Sequence, residues 1–273
     1  MTTKTRIPSH RHSAIQRQLL MDGTASVESL AQKLGVSVAT IRRDLTMLEK
    51  GGDVQRTHGG ATIPQRRGAD QAFALREQID SNEKRFIARA AVDLIEVDQT
   101  LFMNDGSTIL ALAHELAVSN ISLTAVTTGV NIATVLSENP KINTYLAGGL
   151  VRHRTLETTG DFVEQMLSTI NADTAYIAAE GFSIHEGLSF SYEADAKIAR
   201  IMHAKSRRTI VLSTARKLGQ CDRMTAIPAS NIDQLITDCR DEQTLRPIRD
   251  LGISVVIAQN ADYASGDIQM LPV

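Results

Sequence analysis

Leu34-Gly35-Val36-Ser37-Val38-Ala39-Thr40-Ile41-Arg42-Arg43-Asp44-Leu45, continued by Leu48-Glu49-Lys50, decides how the first part of this 273-residue chain folds. Gly35 ends whatever helix precedes it, and Ser37 is an N-cap for the helix that follows. Ile41, Leu45 and Leu48 recur at i, i+4, i+7, so a helix over 38–50 buries that stripe. At 100° per residue, Ala39, Arg42, Arg43 and Thr46 then face the opposite way. Asp44 falls at the buried edge, where it caps or pairs within the domain. Working outward, Ser26 caps a second helix with Val27, Leu30, Ala31 and Leu34 on one face. Arg11 to Asp22 carries Ile15, Leu19 and Leu20 at helical spacing and stops at Gly23. Two short helices around a glycine-containing turn describe a helix-turn-helix.

The outward face of the third helix suits a DNA major groove. Ser37 and Thr40 lie at its N-terminus, where backbone N–H groups favour phosphate. Arginine can bond guanine through two hydrogen bonds, and threonine can contact a thymine methyl. An exposed amphipathic helix with incidental arginines is the plain alternative on spacing alone. After Gly51-Gly52, the run Asp53 to Ala61 between glycine pairs reads as a small β-hairpin, a wing beside the third helix. Arg56 and His58 would sit beside the DNA backbone or minor groove; His58 could equally hydrogen-bond within the wing.

Charge divides the chain in the same place. The net charge of −2 conceals a segment 1–67 with 11 Lys and Arg against 5 Asp and Glu, net +6, and a remainder with 18 against 26, net −8. A basic head on an acidic body is an electrostatic footprint for a polyanion. The head has no aromatic residue before Phe73, which favours double-stranded over single-stranded nucleic acid, where bases stack on aromatic rings. A hydrophobic share of 42% and a charged share of 22% exclude disordered and collagen-like classes. Two cysteines, Cys221 and Cys239, exclude a disulfide framework or a structural zinc site and fit a reducing compartment. With no apolar run of about 18 residues and no signal-like N-terminus, the expected location is the cytoplasm, with no membrane partner.

Pro64 to Asp70 is polar and punctuated by proline and glycine, so it reads as a linker. The expected division is a winged helix-turn-helix over 1–63, a linker over 64–75 and a larger domain over 76–273. In the larger domain a helix over 83–95 precedes strand candidates over 100–103, 122–127, 143–147, 173–179, 209–213, 234–237 and 254–258. Helical stretches over 108–117, 131–136, 193–203 and 242–251 separate most of them. This alternation predicts an α/β domain with a mostly parallel sheet and helices on both faces. Ligands of such sheets lie beyond the strands' carboxyl ends. Asp105, Gly106, Ser107 and Thr108 follow the first strand there, Thr128 and Gly129 the second, and Gly148 and Gly149 the third. Glycines admit backbone amides to an anion and the hydroxyls add donors, although each loop alone reads as ordinary turn chemistry.

From Leu34 to Leu45, then Leu48-Glu49 and Arg56-Thr57-His58-Gly59-Gly60-Ala61, the head closely resembles the winged helix of DeoR-type bacterial transcription regulators. The body, over about 76–258, resembles the effector domain of the same family, which is similar in fold to ribose-5-phosphate isomerase. Asn82-Glu83-Lys84, Asp105-Gly106-Ser107-Thr108, Leu146-Ala147-Gly148-Gly149, Glu193-Ala194 with Lys197, and Lys217-Leu218-Gly219 fall in family order. The resemblance implies a homodimer or homotetramer that reads a double-stranded operator. It implies a sugar or sugar-phosphate effector, no cofactor, no metal and no catalytic residue. It adds Glu193, Lys197 and Lys217 to the pocket; on spacing alone, Glu193 and Lys197 are an i, i+4 surface ion pair. Glu180 and Tyr192 are further candidates. Asn104 and Thr214 stand where the family often has Asp, which points to a departure in ligand. The competing function is a sugar-phosphate isomerase carrying a DNA-binding head, since the fold does not decide between sensing and turnover.

Overall fold

The computed structural model describes residues 8–22, 24–51, 53–57, 59–62, 73–152 and 155–259. Gly23, Gly52, His58 and residues 63–72, which include most of the expected linker over 64–75, therefore lie outside the described residues. The chain divides into two compact units, the first ending at Ile79 and the second beginning at Asp80.

The first unit holds α1 (Pro8–Asp22), β1 (Thr24–Ser26), α2 (Val27–Leu34), α3 (Val38–Lys50), β2 (Gln55–Thr57), β3 (Gly60–Thr62) and α4 (Phe73–Gln78). Its core is the expected stripe: Ile15, Leu19, Val27, Leu30, Ala31, Ile41, Leu45 and Leu48, joined by Val54 and Ala61. Gly35 ends α2 in the left-handed region at φ 64°, where a glycine carries no Cβ penalty. The wing has three strands rather than two, because β1 pairs antiparallel with β3 on the side away from β2. That approach requires glycine at position 60: a Cβ there would lie 2.2 Å from the Ala25 carbonyl oxygen.

The second unit is built on α5 (Ser81–Val92), β4 (Thr100–Met103), α6 (Ser107–Ala117), β5 (Leu123–Thr127), α7 (Val130–Leu136) and β6 (Ile142–Leu146). A hairpin follows, β7 (Leu150–Arg152) and β8 (Glu157–Thr159), then α8 (Asp161–Thr169) and β9 (Ala172–Ile177). The chain continues through β10 (Gly181–Ser183), β11 (Gly187–Phe190), α9 (Glu193–Ala204), β12 (Ser206–Leu212), β13 (Met224–Ile227), β14 (Gln234–Thr237), α10 (Glu242–Asp250) and β15 (Ser254–Ile257). Seven strands form one parallel sheet in the order β15-β14-β12-β9-β4-β5-β6.

Every long strand expected from sequence is in this sheet, because buried parallel strands are continuous apolar runs such as Leu101-Phe102-Met103. The hairpin, α8 and the small antiparallel sheet β10-β11-β13 had no such signature; their strands are only three or four residues long. From β4 the chain winds outward through β5 to β6, then returns to the other side of β4 at β9 and winds outward again. Winding reverses between β4 and β9, and sheets wound this way bind their ligands at the carboxyl ends of such a pair.

Candidate DNA interface and ligand pocket

The helix-turn-helix presents its outward face as the periodicity requires. Ala39, Arg42, Arg43 and Thr46 are exposed, while Ile41, Asp44, Leu45 and Leu48 are buried. Ser37 caps α3: its Oγ accepts from the Thr40 backbone N–H at 3.1 Å and lies 2.8 Å from Thr40 Oγ1. Both hydroxyls thus hold the helix N-terminus in shape. Arg56 on β2 is half-buried, and its Nη1 donates to Thr46 Oγ1 at 3.4 Å, which ties the wing to α3.

Asp44 pairs within the domain, on Arg11 of α1. Arg11 Nε and Nη2 donate to Asp44 Oδ2 and Oδ1 at 2.5 and 2.9 Å, and His12 Nε2 lies 3.1 Å from Oδ1. Burial works to raise the Asp44 carboxyl, but the bonds from Arg11 and His12 outweigh it and hold it below the usual carboxylate range. The pair locks α1 against the inner face of α3, so the arginines opposite are presented from a fixed helix.

In the second unit, the ends of β4 and β9 are clamped by Asn104. Its Nδ2 donates to the Ala178 carbonyl at 2.8 Å, and its Oδ1 accepts from the Ala178 N–H at 2.9 Å. The departure at this position is therefore a backbone clamp: a carboxylate cannot donate to Ala178. Asp105, Gly106 and Ser107 follow, half-buried, with Thr108 buried in the first turn of α6. Gly106 caps α6 at φ 113°, a backbone conformation that side chains resist.

Beside this loop lies the one after β5. Thr128 and Gly129 are buried there, because β8 is laid across them. Thr158 N–H and Oγ1 donate to the Thr128 carbonyl at 2.8 and 3.1 Å, and Gly129 bridges Glu157. The hairpin thereby carries Arg152 and Glu157 to the sheet's carboxyl end. Arg152 Nη1 lies 2.6 Å from Glu157 Oε1 and 2.9 Å from Asp195 Oδ1 of α9, with its guanidinium 5.0 Å from the centre of the Tyr192 ring. Burial, and then the charge of Asp105 close by, push both Glu157 and Asp195 well above the usual carboxylate range. Among the described residues, no group of three or more His, Cys, Asp or Glu side chains could hold a metal ion.

Glu193 and Lys197 do not join this cluster. Lys197 Nζ lies 2.6 Å from Glu164 Oε2 of α8, and Glu193 pairs with Arg200. Each is thus paired with a residue other than the i, i+4 partner that spacing alone suggests. The reason is helical: Asp195 is two residues from each, hence 200° around α9, and the face toward Arg152 is its own. Gly148 and Gly149 line a separate hollow of about 700 Å³ with Leu150, Thr159, Phe162 and Met166. Lys217 stands in a 3₁₀ turn after β12, and its Nζ donates to the Ala179 carbonyl at 2.5 Å, beside Glu180. Thr214 is buried just before that turn.

Sequence reading missed Arg152, Glu157 and Asp195. The one available signal was β-branched Thr158-Thr159 ending at Gly160, too short to announce a strand.

Comparison with known proteins follows the same division. The DeoR-like helix-turn-helix domain matches residues 11–67 and the DeoR C-terminal sensor domain residues 79–239. The HTH-type transcriptional regulator GolR of Listeria innocua is 32% identical over 253 residues, covering 92% of this chain and 99% of its own. The HTH-type transcriptional repressor GlcR of Bacillus subtilis is 31% identical, covering 86% and 90%. A lactose phosphotransferase system repressor of Staphylococcus epidermidis is 29% identical, covering 80% and 87%. Among solved structures, a D-ribose-5-phosphate isomerase in complex with phospho-erythronic acid superposes with a TM-score of 0.38 at 20% identity, over 50% of this chain and 53% of that one.

Proposed function

The chain belongs to the DeoR family of helix-turn-helix transcriptional regulators, and from that membership we propose a repressor of carbohydrate-metabolism genes, released from its operator by a sugar or sugar-phosphate effector. The observation that carries the reading is the exposed Arg42–Arg43 face of α3, fixed from behind by the buried Arg11–Asp44 pair. Arg42, Arg43, Ala39 and Thr46 read bases, and the capped N-terminus at Ser37 and Thr40 meets phosphate with Arg56 of the wing alongside. Half-sites are read in pairs, so the working species is a homodimer or homotetramer. A regulator of this kind acts where the DNA is, in the cytoplasm.

Asp105, Gly106, Ser107, Thr108, Thr128, Gly129 and Lys217 line the effector pocket at the carboxyl end of the sheet. An effector that binds differently to the DNA-competent and DNA-incompetent arrangements shifts the population between them. The relatives that are repressors, one of them of a lactose transport system, support this reading.

Operator DNA can be selected from a random pool with the full chain and then used in gel shifts. Arg42→Ala and Arg43→Ala should each abolish the shift while leaving effector-induced thermal stabilisation intact. Operator affinity retained in both variants would overturn the assignment of α3. The chain senses its effector without turning it over; steady conversion of pentose or hexose phosphates by the purified protein would refute that.

A further inference from the structure

We propose that β6, β7 and the start of α8 form the surface through which two copies of this chain join about a two-fold axis, the Phe162 ring of each copy seated in a hollow of the other. The inference deepens the paired reading of half-sites proposed above, on which it rests, by giving the part of the sensor unit where the second copy docks.

β6 is the last strand of the seven-stranded sheet, and among the described residues no strand pairs with its outer side. Sheet edges that stay single are guarded by charged side chains or proline. Pro140 and Lys141 lie before the strand begins, and from Ile142 to Val151 there is neither a charged residue nor a proline. Tyr145 and Leu146 are exposed on this edge, on its opposite faces.

Beyond Ala147 the chain runs straight into a hollow of about 700 Å³. Gly148 and Gly149 line it with Leu150 of β7 and with Phe162 and Met166 of α8, and Asp161 is its only charged lining residue. Phe162 is 78% exposed and Leu150 74%. Side chains of this kind offer a polyol few hydrogen-bonding partners and suit an aromatic ring.

Gly148 is bare for no reason within the chain. Its backbone is not left-handed, and a Cβ built on it meets no atom within 4 Å. The missing side chain keeps the hollow open, as glycine does where something outside must approach the backbone closely. Gly149 is the contrast: a Cβ there would lie 2.6 Å from both the Thr159 carbonyl oxygen and Val163 Cγ2, so the chain's own packing demands glycine.

A second copy fits this surface because projecting ring and hollow stand on the same patch, the condition for an isologous contact. Two copies of one edge strand also pair antiparallel across such an axis. Exposed Tyr145, Leu146, Leu150, Val151 and Phe162 amount to on the order of 600 Å², at the top of what a monomer leaves in one patch and most of the roughly 800 Å² that each side of a stable dimer buries.

Sedimentation velocity and light scattering of the full chain off DNA, over a range of concentrations, would compare the wild type with Phe162→Asp, Gly148→Arg and Phe162→Leu. Phe162→Asp and Gly148→Arg should each lower the assembly by one step, dimer to monomer or tetramer to dimer, with the dissociation constant raised by about tenfold or more. Phe162→Leu, which stays apolar, should lose less. Far-UV circular dichroism should match the wild type in all three, because position 162 is exposed and position 148 opens on free space. Wild-type association in both Phe162→Asp and Gly148→Arg would overturn this surface and leave the paired reading standing. So would unchanged association of Gly148→Arg together with lost thermal stabilisation by D-glucose 6-phosphate or D-ribose 5-phosphate, which would make the hollow a small-molecule site. A wild type that stays monomeric at every concentration and binds operator with one head would overturn both readings.

Discussion

At the residue scale, two polar side chains do structural work that their position in sequence only half discloses. Asn104 hydrogen-bonds the Ala178 peptide in both directions, which requires one donor and one acceptor on the same side chain. Asn104→Asp keeps the shape but turns an oxygen toward the Ala178 carbonyl. Thermal unfolding should register a loss of about 1–3 kcal/mol; an unchanged melting temperature would contradict the clamp. Asp44 is the second case. Asp44→Ala strands the buried Arg11 guanidinium, and denaturant unfolding should show a loss of about 3–5 kcal/mol from the first unit. Because the folded Asp44 carboxyl lies below its unfolded value, its contribution is complete above the unfolded pKa near 3.9. It is lost as pH falls through the folded value. Acid unfolding of the first unit should therefore come at higher pH in His12→Ala, which removes one of the bonds holding that carboxyl down.

At the element scale, α9 and the β7–β8 hairpin bring Arg152, Glu157 and Asp195 together. Which face of α9 looks at Arg152 follows from what packs on its other faces: α8 takes Lys197 through Glu164, and this leaves Asp195 for Arg152. Burial, then the charge of Asp105, push Asp195 up to about 7, with Arg152 opposing and Glu180 adding to the rise. A carboxyl whose folded pKa exceeds its unfolded one stabilises fully below the unfolded value and loses that contribution as pH rises through the folded value. Glu157, raised further, remains protonated across this window. The melting temperature of the second unit should therefore fall as pH rises from about 4 to about 7, and the fall should be shallower in Asp195→Asn, where only Glu157 still contributes. Parallel profiles for the two proteins would count against the assignment.

At the scale of the whole molecule, the near-neutral total is a cationic reader joined to an anionic sensor. Counterion release makes the reader's operator affinity fall steeply with salt, by about 0.9 in the logarithmic slope per phosphate contact. Replacing Arg56 by alanine should lower that slope by about 1 while preserving sequence preference. Loss of preference without a change in slope would move Arg56 from the backbone to the bases.

Much of this was legible in the residues alone. Ile41, Leu45 and Leu48 set the inner face of α3 and so the outward face of Arg42 and Arg43, because local periodicity and a serine cap suffice to orient a helix. The same holds for the parallel strands, whose apolar runs announce burial on both sides. The cluster around Arg152 was not legible. Arg152, Glu157 and Asp195 come from a hairpin and a helix some 40 residues apart, brought together only when β8 crosses the loop after β5. Sequence determined the reader, a surface made by one helix. Tertiary structure decided the carboxyl end of the sensor's sheet, because the loops that meet there are segments that no local pattern relates.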